Sequence, residues 1–261
     1  MALIEVEQDA RGVAHLWLSR ADKHNALSAQ MMTELEAAAG ALAQDDSVRV
    51  VILGARGKSF CAGGDLAWMR AQFEMDAETR RSESRRIATA LGALAALPQP
   101  LIARVQGNAF GGGVGVISVC DAAVAVPDAR FGLTEVRLGL IPANIGPYVV
   151  ARMGAFAARQ VFMNGAAFSA DRAVELNLLS GVCAPDALDA AIEDLVAPYL
   201  ACAPGAVREA KALLNALVGP VQGAEGDPAI DALAKRWETE EARAGIAAFF
   251  DKRPAPWAEG G

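Results

Sequence analysis

Short apolar runs alternate with helix-spaced segments along the first half of the chain. The short run at 49–55, which is apolar after Arg49, is typical of a strand that is buried on both faces. Helical spacing predicts helices over 29–44, with Ser28 as N-cap, over 65–97 and over 114–119. The predicted strands span residues 2–9, 13–18, 49–55, 101–105 and 122–126. The repeated order of strand, glycine turn, helix and strand predicts an α/β spiral of ββα units.

The pattern becomes helical beyond Pro142. Gly, Pro or Ser residues separate the helix-spaced segments, as expected for helix ends. The predicted helices span residues 145–153, 155–162, 170–176, 188–200, 206–217 and 229–244. A helical region therefore follows the part of the chain that contains the strands.

Two glycine turns lie between a predicted strand and a predicted helix. Residues 58–66 (KSFCAGGDL) follow the strand at 49–55, and residues 111–113 (GGG) precede the helix at 114–119. Glycine lets the backbone approach a ligand closely, and the free N–H groups at a helix N-terminus attract negative charge. One N–H from each turn would suit a developing oxyanion.

Glu135 is the candidate acid–base group. It lies in the largely apolar motif GLTEVRLG at 132–139. A carboxyl group among apolar neighbours has a raised pKa and can exchange protons near neutral pH. A surface salt bridge with Arg137 is the alternative interpretation.

Composition excludes several classes of function. The chain has 261 residues, 53% of them hydrophobic and 21% charged, and a net charge of −7 at pH 7, so nucleic acid is not an expected partner. The N-terminus resembles no secretory signal, and no apolar stretch is long enough to span a membrane. Four scattered cysteines and only two histidines indicate reduced thiols in a cytoplasmic protein, and no metal site is expected.

Five segments together resemble the enoyl-CoA hydratase/isomerase (crotonase) superfamily. They are ADKHNALS at 21–28, SFCAGGDL at 59–66, GNAFGGGVG at 107–115, FGLTEVRLGLIP at 131–142 and GIAAFFDKRPAPW at 245–257. The resemblance implies a ClpP/crotonase-like spiral core over 1–198. It also implies a C-terminal helical region over 199–261 that closes the CoA pocket and assembles the protein into homotrimers or homohexamers.

The resemblance also implies site residues. Glu135 is the catalytic carboxylate, and the backbone N–H groups of Ala62 and Gly112 form the oxyanion hole. An acyl-CoA thioester is the substrate, and no further cofactor or metal is expected. The implied substrate-binding residues are Lys23, Ala26, Gly63, Gly64, Asp65, Leu66, Gly115, Phe249 and Lys252. Of these, Phe249 and Lys252 match residues that meet the adenine and phosphate end of CoA, commonly from an adjacent subunit.

Gly115 departs from the pattern of the family's hydratases, which have a second glutamate at this position. Hydration with one carboxylate and isomerisation of a double bond by Glu135 alone both remain open, since family isomerases with a single glutamate exist. Glycine inside a helix costs about 1 kcal/mol relative to alanine, so a spatial reason is expected. Room for a branched acyl chain and close helix packing are the two alternatives.

A finer resemblance favours hydration. The sequence around the second glycine turn and at 131–154 resembles the bacterial branch of 3-methylglutaconyl-CoA hydratases. A substrate of that kind carries a distal carboxylate, for which Asn144, Tyr148 and Arg70 are candidate contacts. In the family, the predicted helix at 65–97 is often a mobile wall of the acyl pocket. Candidate acyl contacts there are Trp68, Met69 and Phe73.

Two further functions compete with this interpretation. Residues 113–118 (GVGVIS) form a degenerate dinucleotide-binding match, but these glycines do not directly follow a strand, which argues against a nicotinamide dehydrogenase. A non-catalytic acyl-CoA-binding protein would explain Gly115. The glycine turns and Glu135 favour the enzyme.

Overall fold

The computed structural model describes residues 2–219 and 227–258. Within these residues a larger sheet has six strands and a smaller one has three. The strands in chain order are β1 (Ile4–Gln8), β2 (Val13–Leu18), β3 (Val50–Ala55), β4 (Leu101–Val105), β5 (Ala109–Phe110), β6 (Ala122–Ala125), β7 (Arg130–Gly132), β8 (Phe168–Ser169) and β9 (Gly181–Val182). The spatial orders are β1-β2-β3-β4-β6-β9 and β5-β7-β8.

Helices cover the sheets and form the C-terminal part of the described chain. They are α1 (Ala29–Gln44), α2 (Leu66–Ala71), α3 (Ala77–Ala95), α4 (Gly112–Ser118), α5 (Gly146–Met153), α6 (Ala155–Phe162), α7 (Ala170–Glu175), α8 (Leu188–Leu200), α9 (Pro204–Val218), α10 (Asp227–Trp237) and α11 (Glu240–Phe250). Short 3-10 helices include Ala21–Lys23, Gln72–Glu74 and Thr134–Leu138. No single described helix meets the length and apolarity expected of a membrane span, although α8 with the turn before it and α9 meet that test as a pair bent by 100°.

Strand β3 lies at the centre of the larger sheet, as its apolar sequence predicts. All six of its residues are buried, and it pairs in parallel with β2 and β4. The opening hairpin of β1 and β2 is antiparallel, with Ile4 opposite Leu18. The parallel order of the remaining strands places their carboxyl ends, and the turns that follow them, on one edge of the sheet.

Two predicted helices are each divided in the structure. The prediction over 65–97 is wrong as one helix, because Met75 is extended and the Asp76 side chain accepts a hydrogen bond from the Thr79 N–H to begin α3. The prediction over 229–244 is wrong in the same way, since the Thr239 hydroxyl caps the start of α11. Short polar N-cap side chains end one helix and begin the next.

The C-terminal helices α10 and α11 fold back onto their own chain. A small apolar cluster joins Leu233 and Trp237 of α10 and Ile246 of α11 to Leu140, which follows the Thr134–Leu138 helix. An ion pair between Arg81 of α3 and Asp231 of α10 spans 2.6 Å. These two helices therefore cover the segment that contains Leu140. The predicted boundary at residue 198 falls inside α8, which packs on β4 and β6.

Candidate active site

The first glycine turn presents one backbone N–H without a partner. Leu27 forms a parallel bridge to Gly64, in which the Leu27 N–H donates to Gly63 O over 2.8 Å and the Asp65 N–H donates to Leu27 O over 3.0 Å. In such a bridge the N–H and C=O of Gly64 point away from Leu27. No described residue accepts a hydrogen bond from the Gly64 N–H, which leaves this donor free for a ligand.

The second glycine turn supplies another free donor. Gly111 has a φ of +49° and donates its N–H to Gly132 O over 2.9 Å, which anchors the turn to β7. Gly112 is the first residue of α4, and its N–H has no acceptor among the described residues. The two turns lie against each other, because a Cβ built on Gly63 would be 3.1 Å from Phe110 O. A helix N-terminus and a neighbouring turn thus offer two donors to one place.

Ala62 is not one of these donors, and its prediction for the oxyanion hole is wrong. Its N–H donates to the carbonyl oxygen of His24 over 3.0 Å. That bond holds the turn against the loop at residues 24–27, where His24 and Asn25 adopt positive φ. The donor that remains in this turn belongs to Gly64, two residues further along.

Glu135 lies next to the second turn. A Cβ built on Gly111 would be 2.9 Å from Glu135 Oε1, so only glycine leaves room there for this carboxylate. The Oε2 atom is buried and has no partner within the described part of the chain, although the residue as a whole is half-buried. Burial raises the pKa of Glu135 to about 7. Within the described part of the chain no ion pair joins Glu135 to Arg137, and Glu135 Oε2 is buried without a partner, so the salt-bridge interpretation is wrong.

Two cavities meet at these groups. The outer cavity has a volume of about 490 Å³ and opens past Leu66 and Phe249, which are partly exposed. The inner cavity has a volume of about 80 Å³, and its lining includes Glu135 together with Leu233 and Trp237 of α10. Gly64, Met69 and Glu135 line both. A ligand passing from one cavity to the other would pass these residues, and Gly112 lines the inner one.

The chain is similar to known proteins in both sequence and fold. The sequence model of the family described as enoyl-CoA hydratase/isomerase matches residues 8–260. The chain belongs to this family. An enoyl-CoA hydratase of Mycobacterium smegmatis has a solved structure with a TM-score of 0.80 and 38% identity, covering 98% of this chain and 99% of that one. The predicted crotonase fold is confirmed.

Two curated relatives of this enoyl-CoA hydratase/isomerase family enzyme carry more specific names. The crotonyl-CoA hydratase of Syntrophomonas wolfei is 30% identical over 246 residues, covering 93% of each chain. The mitochondrial methylglutaconyl-CoA hydratase of Mus musculus is 31% identical over 261 residues, covering 95% of this chain and 80% of the relative. The same family therefore includes proteins named for different acyl groups.

Gly115 is a packing residue in this family member. It is fully buried in α4, and a Cβ built on it would lie 2.5 Å from Ile145 Cγ2 and 3.2 Å from Leu91 Cδ1. It lines neither cavity among those described at the site. Its prediction as a substrate contact is therefore corrected, and of the two reasons considered for the glycine, close helix packing is the one that the structure shows.

Asp65 also has a structural role. Its side chain accepts a hydrogen bond from the Trp68 N–H, which caps α2, and pairs with Arg20 over 2.6 Å. Burial alone would raise the pKa of Asp65, but these hydrogen bonds and the Arg20 charge hold it below its usual value. The predicted substrate contact is replaced by a link between the first glycine turn and the loop after β2.

The other predicted contacts divide into two groups. Gly63, Leu66 and Phe249 line the outer cavity with Gly64 and Ala62, and Trp68 lines the inner cavity with Met69 and Asn144. Residues that line neither cavity are Lys23, Ala26, Lys252, Arg70, Phe73 and Tyr148. Phe249 lines the outer cavity of its own chain, and the expected contribution of this segment to an adjacent subunit stays a prediction.

The sequence interpretation missed several residues of the inner cavity. Ser84 of α3, Leu233 and Trp237 of α10, and Leu140 line it. No motif marks Ser84 or Trp237, because each belongs to an ordinary amphipathic helix that tertiary packing brings over the site. Burial raises the pKa of the nearby Cys61 thiol to about 12, so Cys61 is not a nucleophile near neutral pH.

Proposed function

We propose that this protein is an enoyl-CoA hydratase that adds water across the 2,3 double bond of a short or branched enoyl-CoA, with Glu135 as its single catalytic carboxylate. One observation carries the proposal. Glu135, whose buried Oε2 has no partner, lies where the two cavities meet, beside two backbone N–H groups that have no acceptor among the described residues. A thioester carbonyl and an adjacent double bond need this combination of groups.

The two N–H groups stabilise the enolate. The thioester oxygen accepts hydrogen bonds from Gly64 and Gly112, and these bonds strengthen as negative charge moves onto that oxygen. The dipole at the start of α4 adds to the effect, since Gly112 is its first residue. Removing one donor of this type typically lowers kcat about 10²- to 10³-fold.

Glu135 moves the proton. Its ionised carboxylate takes a proton from water as the water oxygen bonds to C3, and the electron pair of the double bond moves through C2 onto the thioester oxygen. The protonated Glu135 then returns a proton to C2 as the enolate collapses. One water is consumed, and the enzyme returns to its starting state. A pKa of about 7 lets one carboxyl group perform both transfers near neutral pH.

The cavity sizes support the substrate class. The outer cavity is open and suits the pantetheine arm of coenzyme A, with Phe249 on its rim. The inner cavity of about 80 Å³ suits a short or branched acyl group. The name of the Mus musculus relative makes 3-methylglutaconyl-CoA one candidate of this class. A cytoplasmic location and the lack of a further cofactor stay predictions.

Isomerisation is the second candidate function, and the lack of a second glutamate at Gly115 favours it. Ile145 fills the space in which a side chain at this position would lie. An isomerase needs only Glu135, since the proton leaves one carbon and returns to another through the same enolate. No water has to be held.

A substrate panel in deuterated water separates these functions. Crotonyl-CoA, 3-methylglutaconyl-CoA and a 3-enoyl-CoA are incubated with the protein, and the products are identified by mass spectrometry. A hydratase converts the 2-enoyl substrates into 3-hydroxyacyl products with one deuterium at C2. Conversion of the 3-enoyl substrate alone identifies an isomerase, and acyl-CoA binding without turnover of any substrate identifies a non-catalytic binding protein.

We also propose that α9 joins subunits into a homotrimer, alone or paired as a hexamer. Leu213, Leu214, Leu217 and Val218 are each more than half exposed on this helix. Such a contiguous apolar face suggests an interface. Light scattering of the wild type and of Leu217→Lys tests this, because the charged side chain is expected to shift the mass towards the monomer. If Leu217→Lys has the same mass as a wild-type oligomer, the interface lies elsewhere.

A further inference from the structure

Two polar side-chain atoms on residues that line the inner cavity are buried without a partner among the described residues. Trp237 is 4% exposed, and its Nε1–H has no acceptor within the described part of the chain. Asn144 Oδ1 is also buried without a partner there. Both residues line the inner cavity, together with the buried Ser84. Buried polar groups are normally hydrogen-bonded, so unpaired ones along a cavity indicate a ligand that completes them.

The indole ring is held in place by its neighbours. Phe73 packs edge-on against it, with ring centroids 5.1 Å apart and planes at 78°. Trp237 is the last residue of α10, and the 2.6 Å ion pair between Arg81 and Asp231 fastens that helix to α3. A ring that packs against Phe73 and belongs to an anchored helix has little freedom to turn its N–H elsewhere. The donor is therefore preorganised towards one kind of partner.

The chemistry of the wall limits that partner. An indole N–H only donates, whereas the amide of Asn144 offers a donor and an acceptor whose assignment can be exchanged by rotation. The described residues that line the inner cavity include no Lys, Arg or His, and the acidic side chain among them is Glu135. The group that fits is thus an oxygen acceptor held by neutral donors.

We propose that the acyl group of the substrate carries an oxygen acceptor at its distal end, a carboxylate or a neutral carbonyl, which accepts a hydrogen bond from Trp237 Nε1 and contacts the amide of Asn144. This inference rests on the proposed function in one respect, that the acyl chain enters the inner cavity from Glu135. It makes Trp237 and Asn144 specificity-determining residues. A purely apolar chain would leave both buried groups unpaired and would bind less well.

The test compares kcat/KM for three 2-enoyl-CoA substrates of similar acyl length. One ends in a carboxylate (glutaconyl-CoA), one in the corresponding methyl ester, and one in an apolar chain (2-hexenoyl-CoA). The wild type is expected to prefer an oxygen-bearing substrate over 2-hexenoyl-CoA by about 10-fold or more, as expected when a site built around a hydrogen bond meets an analogue that lacks it. Preference for the carboxylate or for the ester tells the two sources of the oxygen apart.

Trp237→Phe removes the N–H and keeps an aromatic ring. The preference for the oxygen-bearing substrate is expected to fall about 10-fold in this variant, and Asn144→Leu is expected to lower it as well. Each preference is a ratio measured on one preparation, so partial loss of folded protein cancels. Trp17→Phe is the matched control, because the Trp17 Nε1–H donates to Glu7 on β1, away from both cavities; its ratio should equal that of the wild type.

Two results would overturn the inference. One is a wild type that prefers 2-hexenoyl-CoA, and the other is an unchanged ratio in both Trp237→Phe and Asn144→Leu, as expected if ordered water alone completes these groups. Crotonyl-CoA, whose acyl chain carries no distal oxygen, separates this failure from failure of the proposed function. If crotonyl-CoA is not hydrated, dissociation constants of glutaryl-CoA and hexanoyl-CoA test the same preference by binding, with the same variants.

Discussion

Replacing Gly115 by alanine tests the packing explanation for the missing carboxylate. The new Cβ would lie 2.5 Å from Ile145 Cγ2 and 2.9 Å from Ile145 Cβ, whereas carbon atoms in contact are normally about 3.5–4.0 Å apart. The surroundings must therefore move by about 1 Å, and overpacking of this kind typically costs about 1–3 kcal/mol. Alanine in place of glycine inside a helix raises the unfolding free energy by about 1 kcal/mol, which offsets part of this cost.

Gly40→Ala is the matched control for this prediction. Gly40 lies in α1, and no atom outside its local backbone lies within 4 Å of the position of its Cβ. Gly40→Ala should gain only the stabilisation that alanine gives over glycine in a helix. The two variants are therefore expected to differ in unfolding free energy by about 1–3 kcal/mol. Denaturant unfolding at fixed protein concentration measures the difference. Equal stabilisation by both substitutions would refute the packing explanation and would indicate open space at Gly115.

A double-mutant cycle with Ile145→Ala tests whether Ile145 is the residue that fills the space beside Gly115. Ile145→Ala alone removes buried methyl groups and should cost about 2–5 kcal/mol. In the Gly115→Ala background it should cost less, because the new methyl group fills part of the cavity, with a coupling energy of about 0.5–3 kcal/mol. Additive effects would mean that the two residues do not compete for the same space.

Three further predictions follow from the ionisable groups. Because Glu135 must be ionised to take a proton from water, kcat/KM for crotonyl-CoA should rise with pH through about 7 and fall on the acid side, measured as initial rates across the neutral range. Its folded pKa lies above the ordinary value of 4.5, so ionisation costs stability; the unfolding free energy of the wild type should fall as pH rises from about 4.5 to about 7, and that of Glu135→Gln should not. Asp65→Ala removes the carboxylate partner of the partly buried Arg20 together with the N-cap of α2 and should lower the unfolding free energy by about 3–5 kcal/mol, whereas Glu193→Ala, which removes the exposed partner of Arg11, should change it by about 1 kcal/mol or less.

The sequence predicted the central strand and the acid–base residue for clear physical reasons. An unbroken apolar run such as that of β3 is compatible only with burial on both faces. Glu135 stands out because a carboxyl group in an apolar motif needs an explanation. Asp76 and Thr239 are residue types that favour the N-cap position, and each begins a helix in the structure. The helical spacing continues across both residues, however, so the sequence pattern alone predicts one helix in each place.

The sequence does not predict which N–H of the first glycine turn is the free donor. Ala62 and Gly64 lie in the same glycine turn, and only the bridge from Leu27 and the bond to His24 O decide which N–H is free. These contacts join segments about 40 residues apart. The same limit applies to Trp237, which reaches the inner cavity only because α10 folds back over the site. Tertiary pairing, which local sequence patterns do not specify, selects both.

Crotonyl-CoA hydration by Glu135→Gln tests most directly whether Glu135 moves the proton. Glu36→Gln is the control, since Glu36 is an exposed residue of α1 away from both cavities. The loss of the enoyl thioester absorbance is followed under saturating substrate, with binding measured separately. We expect kcat to fall about 10²- to 10⁴-fold in Glu135→Gln while crotonyl-CoA still binds, and we expect Glu36→Gln to match the wild type. A kcat for Glu135→Gln within a few fold of the wild type would contradict the assignment of Glu135 as the group that moves the proton.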